Sequence, residues 1–279
     1  MFLNKPKFWN NSNVSIWSII LFPFSIVYLL ISKLNKIKSS KKFKVPIVCV
    51  GNIYLGGTGK TPLALEVFKF LKSINKKPAL IKKNYNYLSD EINMLSKKSD
   101  IFVGGRKEAI KSCFIAGHDI AILDDGFQDF SIKPKFSIIC FNSKQSYGNG
   151  FLIPSGPLRE PLNSINRANC IVVNGDKNIK FEDKISQISN KKKIHIFYSK
   201  YKLKNIEKFR DKKIIAFAGI GNPMNFFDLL KENGLNIEKT YSFPDHYKYS
   251  TKDFEKIKDD TSSKLVTTEK DFFRMTDEQ

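Results

Sequence analysis

Residues 56–61 read Gly-Gly-Thr-Gly-Lys-Thr, a string whose residue types suit the holding of a polyphosphate. Small glycines let successive backbone N–H groups turn inward around phosphate oxygens, and a helix starting there adds its partial positive charge. Gly56, Gly57, Thr58 and Gly59 form the cradle. Lys60 is placed to reach the β- and γ-phosphates, and Thr61 to ligate Mg²⁺. The full eight-residue pattern wants glycine first, where this chain has Tyr54. The flanks restore the signal: apolar Val45–Val50 precedes it and a stretch with helical spacing (61–77) follows. A phosphate loop needs a carboxylate at the end of a neighbouring buried strand to hold the hydrated metal. Ile-Ala-Ile-Leu-Asp-Asp-Gly (120–126) supplies Asp124 and Asp125. One suffices for the metal; the second is left for substrate, Lys60 or a water. We assign Thr61 and Asp124 to the metal and Asp125 to catalysis, although the residues alone leave the two carboxylates exchangeable. The cofactors implied are ATP and Mg²⁺.

These residues need elements to hold them. Strand candidates at 45–52, 78–83, 118–125, 136–142 and 168–175 alternate with helical patterns at 61–77, 91–98 and 106–117, which argues for a parallel sheet covered by helices on both faces. Residues 178–210 are rich in Lys and weakly patterned, and 213–232 begin a new strand–turn–helix unit. The expected organisation is an N-terminal apolar helix with a basic flank (1–42), a nucleotide-binding domain (43–178) and a smaller C-terminal α/β domain (179–279).

Residues 14–31 carry no charge, and six lysines follow between 33 and 44. About 20 apolar residues cross a bilayer as a helix, so the run is borderline, and Pro23 should kink it. An interfacial anchor is the favoured reading, with Trp17, Tyr28 and the basic flank suited to anionic headgroups. A single crossing and a buried core helix are the alternatives. The flank would lie on the cytoplasmic side.

The 279 residues carry 47 Lys+Arg against 27 Asp+Glu, a formal net charge of +20. Such a field favours anionic partners. Only five of the 47 are Arg, whose planar fork is the usual reader of bases and phosphates, so we expect no nucleic-acid partner. Hydrophobic content of 42% excludes a disordered chain. The four cysteines form no Cys-x-x-Cys pair, and three lie in apolar runs. That points to buried reduced thiols, no zinc site and a reducing compartment.

In chain order the segments GNIYLGGTGKTPLALEVFKFL, VGGRKEAI, ILDDGFQDF, YGNGFLIPSGPLREPL, FAGIGNPMNFFDLL, FPDHY and TTEKD appear between about residues 43 and 275. Together they resemble the tetraacyldisaccharide 4′-kinase family of lipid A biosynthesis. The resemblance implies transfer of the ATP γ-phosphate to the 4′-hydroxyl of an acylated disaccharide 1-phosphate lipid. It implies a P-loop kinase-like domain, a smaller C-terminal domain and a cleft between them. The enzyme would be a monomer on the cytoplasmic face of the bacterial inner membrane, peripheral or singly anchored. A general base of that family maps to Asp90, beside Glu91, and its partner to His246 in Phe-Pro-Asp-His-Tyr, a pair expected across the cleft. Arg159 in Gly-Pro-Leu-Arg-Glu-Pro-Leu matches a family arginine, and a structural pair with Glu160 is its alternative. Departures include Ser89 and Ile92 around Asp90, Lys83-Asn84-Tyr85-Asn86 for Arg-Gly-Tyr-Gly, and Asp129 for a His. The rival class is a membrane-associated ATPase switch of the partitioning type. Its loop carries Lys at the second position, which is Leu55 here.

Overall fold

The computed structural model describes residues 6–10, 14–36, 41–84, 89–189, 194–245, 247–257 and 263–275; of Asn35, Lys36, Ser89 and Asp90 only the backbone is described. Seven parallel strands form the larger sheet: β1 (Ile47–Gly51), β2 (Pro78–Lys82), β3 (Ile101–Val103), β4 (Ile120–Asp124), β5 (Phe136–Asn142), β6 (Cys170–Asn174) and β7 (His195–Ser199). Their order is β3-β2-β4-β1-β5-β6-β7, every pairing is parallel, and helices cover both faces. Strands buried on two faces read as unbroken apolar runs, and these do. β1 lies between β4 and β5, so the chain switches direction of winding at β1, where α/β sheets bind ligands beyond their strand ends. Helices α2 (Lys60–Ser73), α4 (Arg106–Ile115) and α5 (Ile179–Ile188) accompany this sheet. All four cysteines are buried and free, and burial pushes the Cys49 thiol up to about 12.

Two units emerge from the packing. The larger holds residues 4–84 and 99–200; the smaller holds 1–3, 85–98 and 201–279. The expected boundary at 178/179 differs from this because β7 pairs along its length with β6, carrying the larger unit to Lys200. The second difference is the excursion of 85–98. Helix α3 (Ser89–Ser96) belongs to the smaller unit, where Lys98 pairs with Glu269 and Lys97 lies 4.7 Å from the Phe273 ring centroid. That unit is built on three parallel strands in the order β10-β8-β9: β8 (Ile214–Ala218), β9 (Ile237–Ser242) and β10 (Lys264–Thr267). Helices α6 (Pro223–Glu232), α7 (Thr251–Ile257) and α8 (Glu269–Phe272) complete it. Pro223 opens α6, where its missing N–H costs nothing.

Helix α1 (Ile16–Lys36) runs through Pro23, leaving the Ile19 carbonyl without its usual intrahelical donor. Residues Ile16–Leu34 are long and apolar enough to cross a membrane, with a mean hydropathy of 1.9, yet only 11% of that span is buried. The pattern is inside out. The buried positions are Ser18 and Ser25, with Leu21, Tyr28 and Ser32 partly covered, while Ile19, Ile20, Phe24, Val27, Leu30 and Ile31 are exposed. Spacings of three and four residues put the covered positions on one face. That face is polar because it hydrogen-bonds to the loop 147–159 of the same unit. Ser25 Oγ donates to Leu152 O (2.9 Å) and lies 2.9 Å from Ser155 Oγ, Asn149 Nδ2 donates to Ser18 Oγ (3.1 Å), and Tyr28 donates to Arg159 O (2.9 Å). The helix is therefore neither a core helix nor a free tether.

Candidate active site

The loop after β1 owes its shape to left-handed glycines and to one buried amide. Gly56 and Gly59 have φ of 130° and 87°, which a side chain would strain, and Gly59 caps the N-terminus of α2. Asn52, fully buried, donates from Nδ2 to Tyr54 O (2.6 Å), Gly56 O (3.3 Å) and Thr58 Oγ1 (3.0 Å), bracing the loop from inside. Tyr54, in place of the usual first glycine, is buried and donates to Asn10 Oδ1. The loop's first residues pair with 157–159 like two strands: Leu55 N donates to Pro157 O (2.8 Å) and Arg159 N to Ile53 O (2.7 Å). This pairing carries Arg159, about a hundred residues later in sequence, to the phosphate loop.

Parallel register does the same for the carboxylates. Val50 of β1 lies opposite Asp124 of β4, so the strand-end acids stand beside the loop. Thr61 Oγ1 donates to Asp124 Oδ2 at 2.9 Å. Asp124 is 2% exposed, and its other oxygen, Oδ1, is buried without a hydrogen-bond partner. An orphaned carboxylate oxygen next to a threonine hydroxyl is a donor set that fits Mg²⁺, which uses one or two carboxylates and leaves remaining positions to water and phosphate. Among the described residues no cluster of three or more His, Cys, Asp or Glu offers an alternative all-protein cage.

Asp125 faces the cations. Arg159 grips both of its oxygens (3.0 and 3.1 Å), and Lys60 Nζ is 3.9 Å from Oδ1. Burial pushes its carboxyl up, but Lys60, Arg159 and Arg106 together outweigh this and hold it below the usual range. Burial likewise pulls the Lys60 ammonium down, against the opposing pull of Asp125. Asp125 sits at φ 61°, a left-handed conformation costing a non-glycine residue about 1 kcal/mol. Its backbone is fixed there by N–H donation to Val50 O (2.9 Å) and by Arg106 Nη2, which donates to its carbonyl (2.6 Å).

Arg159 does not pair with Glu160. That carboxylate, 1% exposed, is held by both nitrogens of Arg167 (2.8 and 2.9 Å), whose guanidinium lies over Phe127 and Phe130. Gln128 bridges Asn52 O and Glu160, tying the two loops together. Asp129 accepts from Ser131 Oγ (2.6 Å) and Arg106 Nη1 (3.2 Å).

Of the residues singled out in the sequence, Gly56, Gly57, Thr58, Gly59, Lys60, Thr61, Asp124, Asp125 and Arg159 converge in the larger unit. Asp90 lies on the first turn of α3, its side chain outside the described residues, and His246 lies outside them altogether. The backbone of Asp90 falls in the smaller unit. Sequence reasoning missed Asn52, Lys82, Arg106, Gln128 and Arg167. For Arg106 and Arg167 a signal existed: each is one of five arginines in a lysine-rich chain.

A parallel sheet with a Gly-rich loop at its switch point, a lysine and threonine opening the next helix, and an acid on the adjacent strand end define a P-loop nucleotide-binding protein of the kinase-like class. The sequence profile of the tetraacyldisaccharide-1-P 4′-kinases matches residues 17–101 and 82–279. The tetraacyldisaccharide 4′-kinase of Pelagibacter ubique is 40% identical over 285 residues, covering 99% of this chain and 89% of that one. That of Rickettsia canadensis is 32% identical, covering 98% and 88%. The structure of LpxK from Aquifex aeolicus in complex with ATP superposes with a TM-score of 0.72 at 24% identity, covering 93% and 90%, a likeness of fold. The chain belongs to the tetraacyldisaccharide 4′-kinase family, which sets aside the partitioning-type switch.

Proposed function

We propose that the chain is an ATP- and Mg²⁺-dependent kinase that phosphorylates the 4′-hydroxyl of a tetraacyldisaccharide 1-phosphate, working as a monomer on the cytoplasmic face of the inner membrane. The observation carrying this reading is the convergence of Lys60, Thr61, Asp124, Asp125 and Arg159 at one strand-end site in a member of this family. The loop N–H groups and Lys60 hold the β- and γ-phosphates in line with the incoming hydroxyl. Thr61 and Asp124 would hold Mg²⁺, which neutralises phosphate charge when bound. Arg159, kept in place by Asp125, supplies a planar donor fork to charge developing on the phosphoryl oxygens. Asp90 takes the proton from the 4′-hydroxyl as its oxygen bonds to the γ-phosphorus and the bond to the ADP oxygen breaks, with His246 orienting or charging the carboxylate. No covalent enzyme intermediate is required, because positioning and charge do the work.

The outward apolar face of α1 supports membrane docking, since a soluble helix would bury that side and expose its serines. Its hydrogen-bonded inner face argues for lying in the interface over crossing the bilayer, because a crossing helix would be ringed by lipid. Purified protein incubated with ATP–Mg²⁺ and the disaccharide 1-phosphate should yield the 1,4′-bisphosphorylated lipid; absence of that product with active ATP binding would refute the assignment.

A further inference from the structure

Lys82 ends β2, a strand otherwise wholly apolar, and is itself 5% exposed. Ile81 is in register with Leu123, so Lys82 comes abreast of Asp124. Its ammonium forms a buried ion pair with Asp124 Oδ2, the oxygen that also accepts from Thr61. A protein cation thus occupies one oxygen of the carboxylate assigned to the metal, while Oδ1 stays bare.

We infer that Lys82 competes with the divalent ion for Asp124, so that the free enzyme binds metal poorly and takes it up together with the nucleotide. The inference rests on the metal-holding role proposed for Asp124. Metal binding there must displace the ammonium from Oδ2 or use Oδ1 with the ammonium one carboxylate's width away. Either way two cations share one buried anion, and like charges at such range repel strongly where water is scarce. Nucleotide phosphates reverse the balance by adding several negative charges within reach of both cations. The lysine also explains how a deeply buried carboxylate is tolerated without metal: its charge is already paired. Lys82 is accordingly a positioning residue that sets metal affinity and order of uptake, not a group that handles the reacting atoms.

Mn²⁺ titration followed by electron paramagnetic resonance tests this on the full chain, with and without a non-hydrolysable ATP analogue. Wild-type protein alone should bind Mn²⁺ at least tenfold more weakly than the Lys82→Met variant alone. Lys82→Arg, which keeps the charge, should bind as weakly as wild type. Mn²⁺ should raise the melting temperature of nucleotide-free Lys82→Met but not of nucleotide-free wild type. If Lys82→Met does not fold, wild type still decides: tight Mn²⁺ binding without nucleotide overturns the inference, and binding only with nucleotide supports it. Equal Mn²⁺ affinity in wild type and Lys82→Met overturns the role of the lysine and leaves the metal role of Asp124 standing. Failure of wild type to bind Mn²⁺ even with nucleotide overturns the metal role itself, and this inference with it.

Discussion

Replacing Arg167 with Met should destabilise the larger unit by about 3 kcal/mol. Glu160 is 1% exposed, and its carboxylate is gripped by both Arg167 nitrogens at 2.8 and 2.9 Å. Removing one partner of a buried pair costs about 3–5 kcal/mol, because the remaining charge stays desolvated. Two features bring the figure to the low end. The Arg167 side chain is 35% exposed, so water reaches that side of the pair, and Gln128 Nε2 remains on Glu160 at 3.2 Å. Loss of the guanidinium from the Phe127 and Phe130 faces, 4.3 and 4.6 Å away and worth about 0.5–1 kcal/mol, is included in that figure. Methionine keeps most of the packing over those rings. At about 2–4 °C per kcal/mol for a unit of this size, the melting temperature should fall by about 6–12 °C in scanning calorimetry at pH 7. The double variant Arg167→Met/Glu160→Gln should recover most of the loss, since no buried charge is then stranded. Turnover should fall in the single variant as well, because Glu160 follows Arg159, the residue that grips Asp125. A loss below about 1 kcal/mol in the single variant, or no recovery in the double, would refute this account of the loop.

Lys60→Ala should lower kcat by about 10²–10³-fold or more in a protein with an unchanged melting profile, because the phosphates lose their buried cation; near-full activity in steady-state assays would contradict the site. Asp90→Ala and His246→Ala should each lower kcat by about 10²–10⁴-fold with little change in the KM for ATP, and the double variant should be no worse than either alone if the two act as a unit. Charge substitutions on the outward face of α1, such as Ile20→Glu with Leu30→Glu, should abolish sedimentation with anionic liposomes while leaving ATP binding intact. The Asp129 carboxyl, raised by burial but held below its ordinary value overall by Ser131 and Arg106, stabilises the fold above its unfolded pKa of about 4 and loses that contribution as pH falls through the lower folded value. Urea midpoints measured from pH 7 to pH 3 should therefore drop less steeply for Asp129→Asn than for wild type.

What lay in the chain itself was local. The phosphate loop is a contiguous string whose glycines, lysine and threonine act within six residues, and β4 announces itself as apolar residues followed by acids. Both could be read because their meaning depends on neighbours in sequence. The apolar composition of residues 14–31 was equally plain. Its inverted face was not, because which side of a helix is covered depends on the partner, here the loop 147–159 some 130 residues away. Tertiary structure alone decided the partners of the charges. Whether Arg159 meets Glu160 or Asp125, whether Lys82 is a solvated strand end or an ion pair on Asp124, and whether Asp90 travels with the larger or the smaller unit all turn on strand order and register. Parallel strands β2, β4 and β1 are joined by crossovers of tens of residues, so the side chains that meet at their ends share no local pattern. Local propensity shapes each element. The ends of the strands become one site only when the sheet sets them side by side.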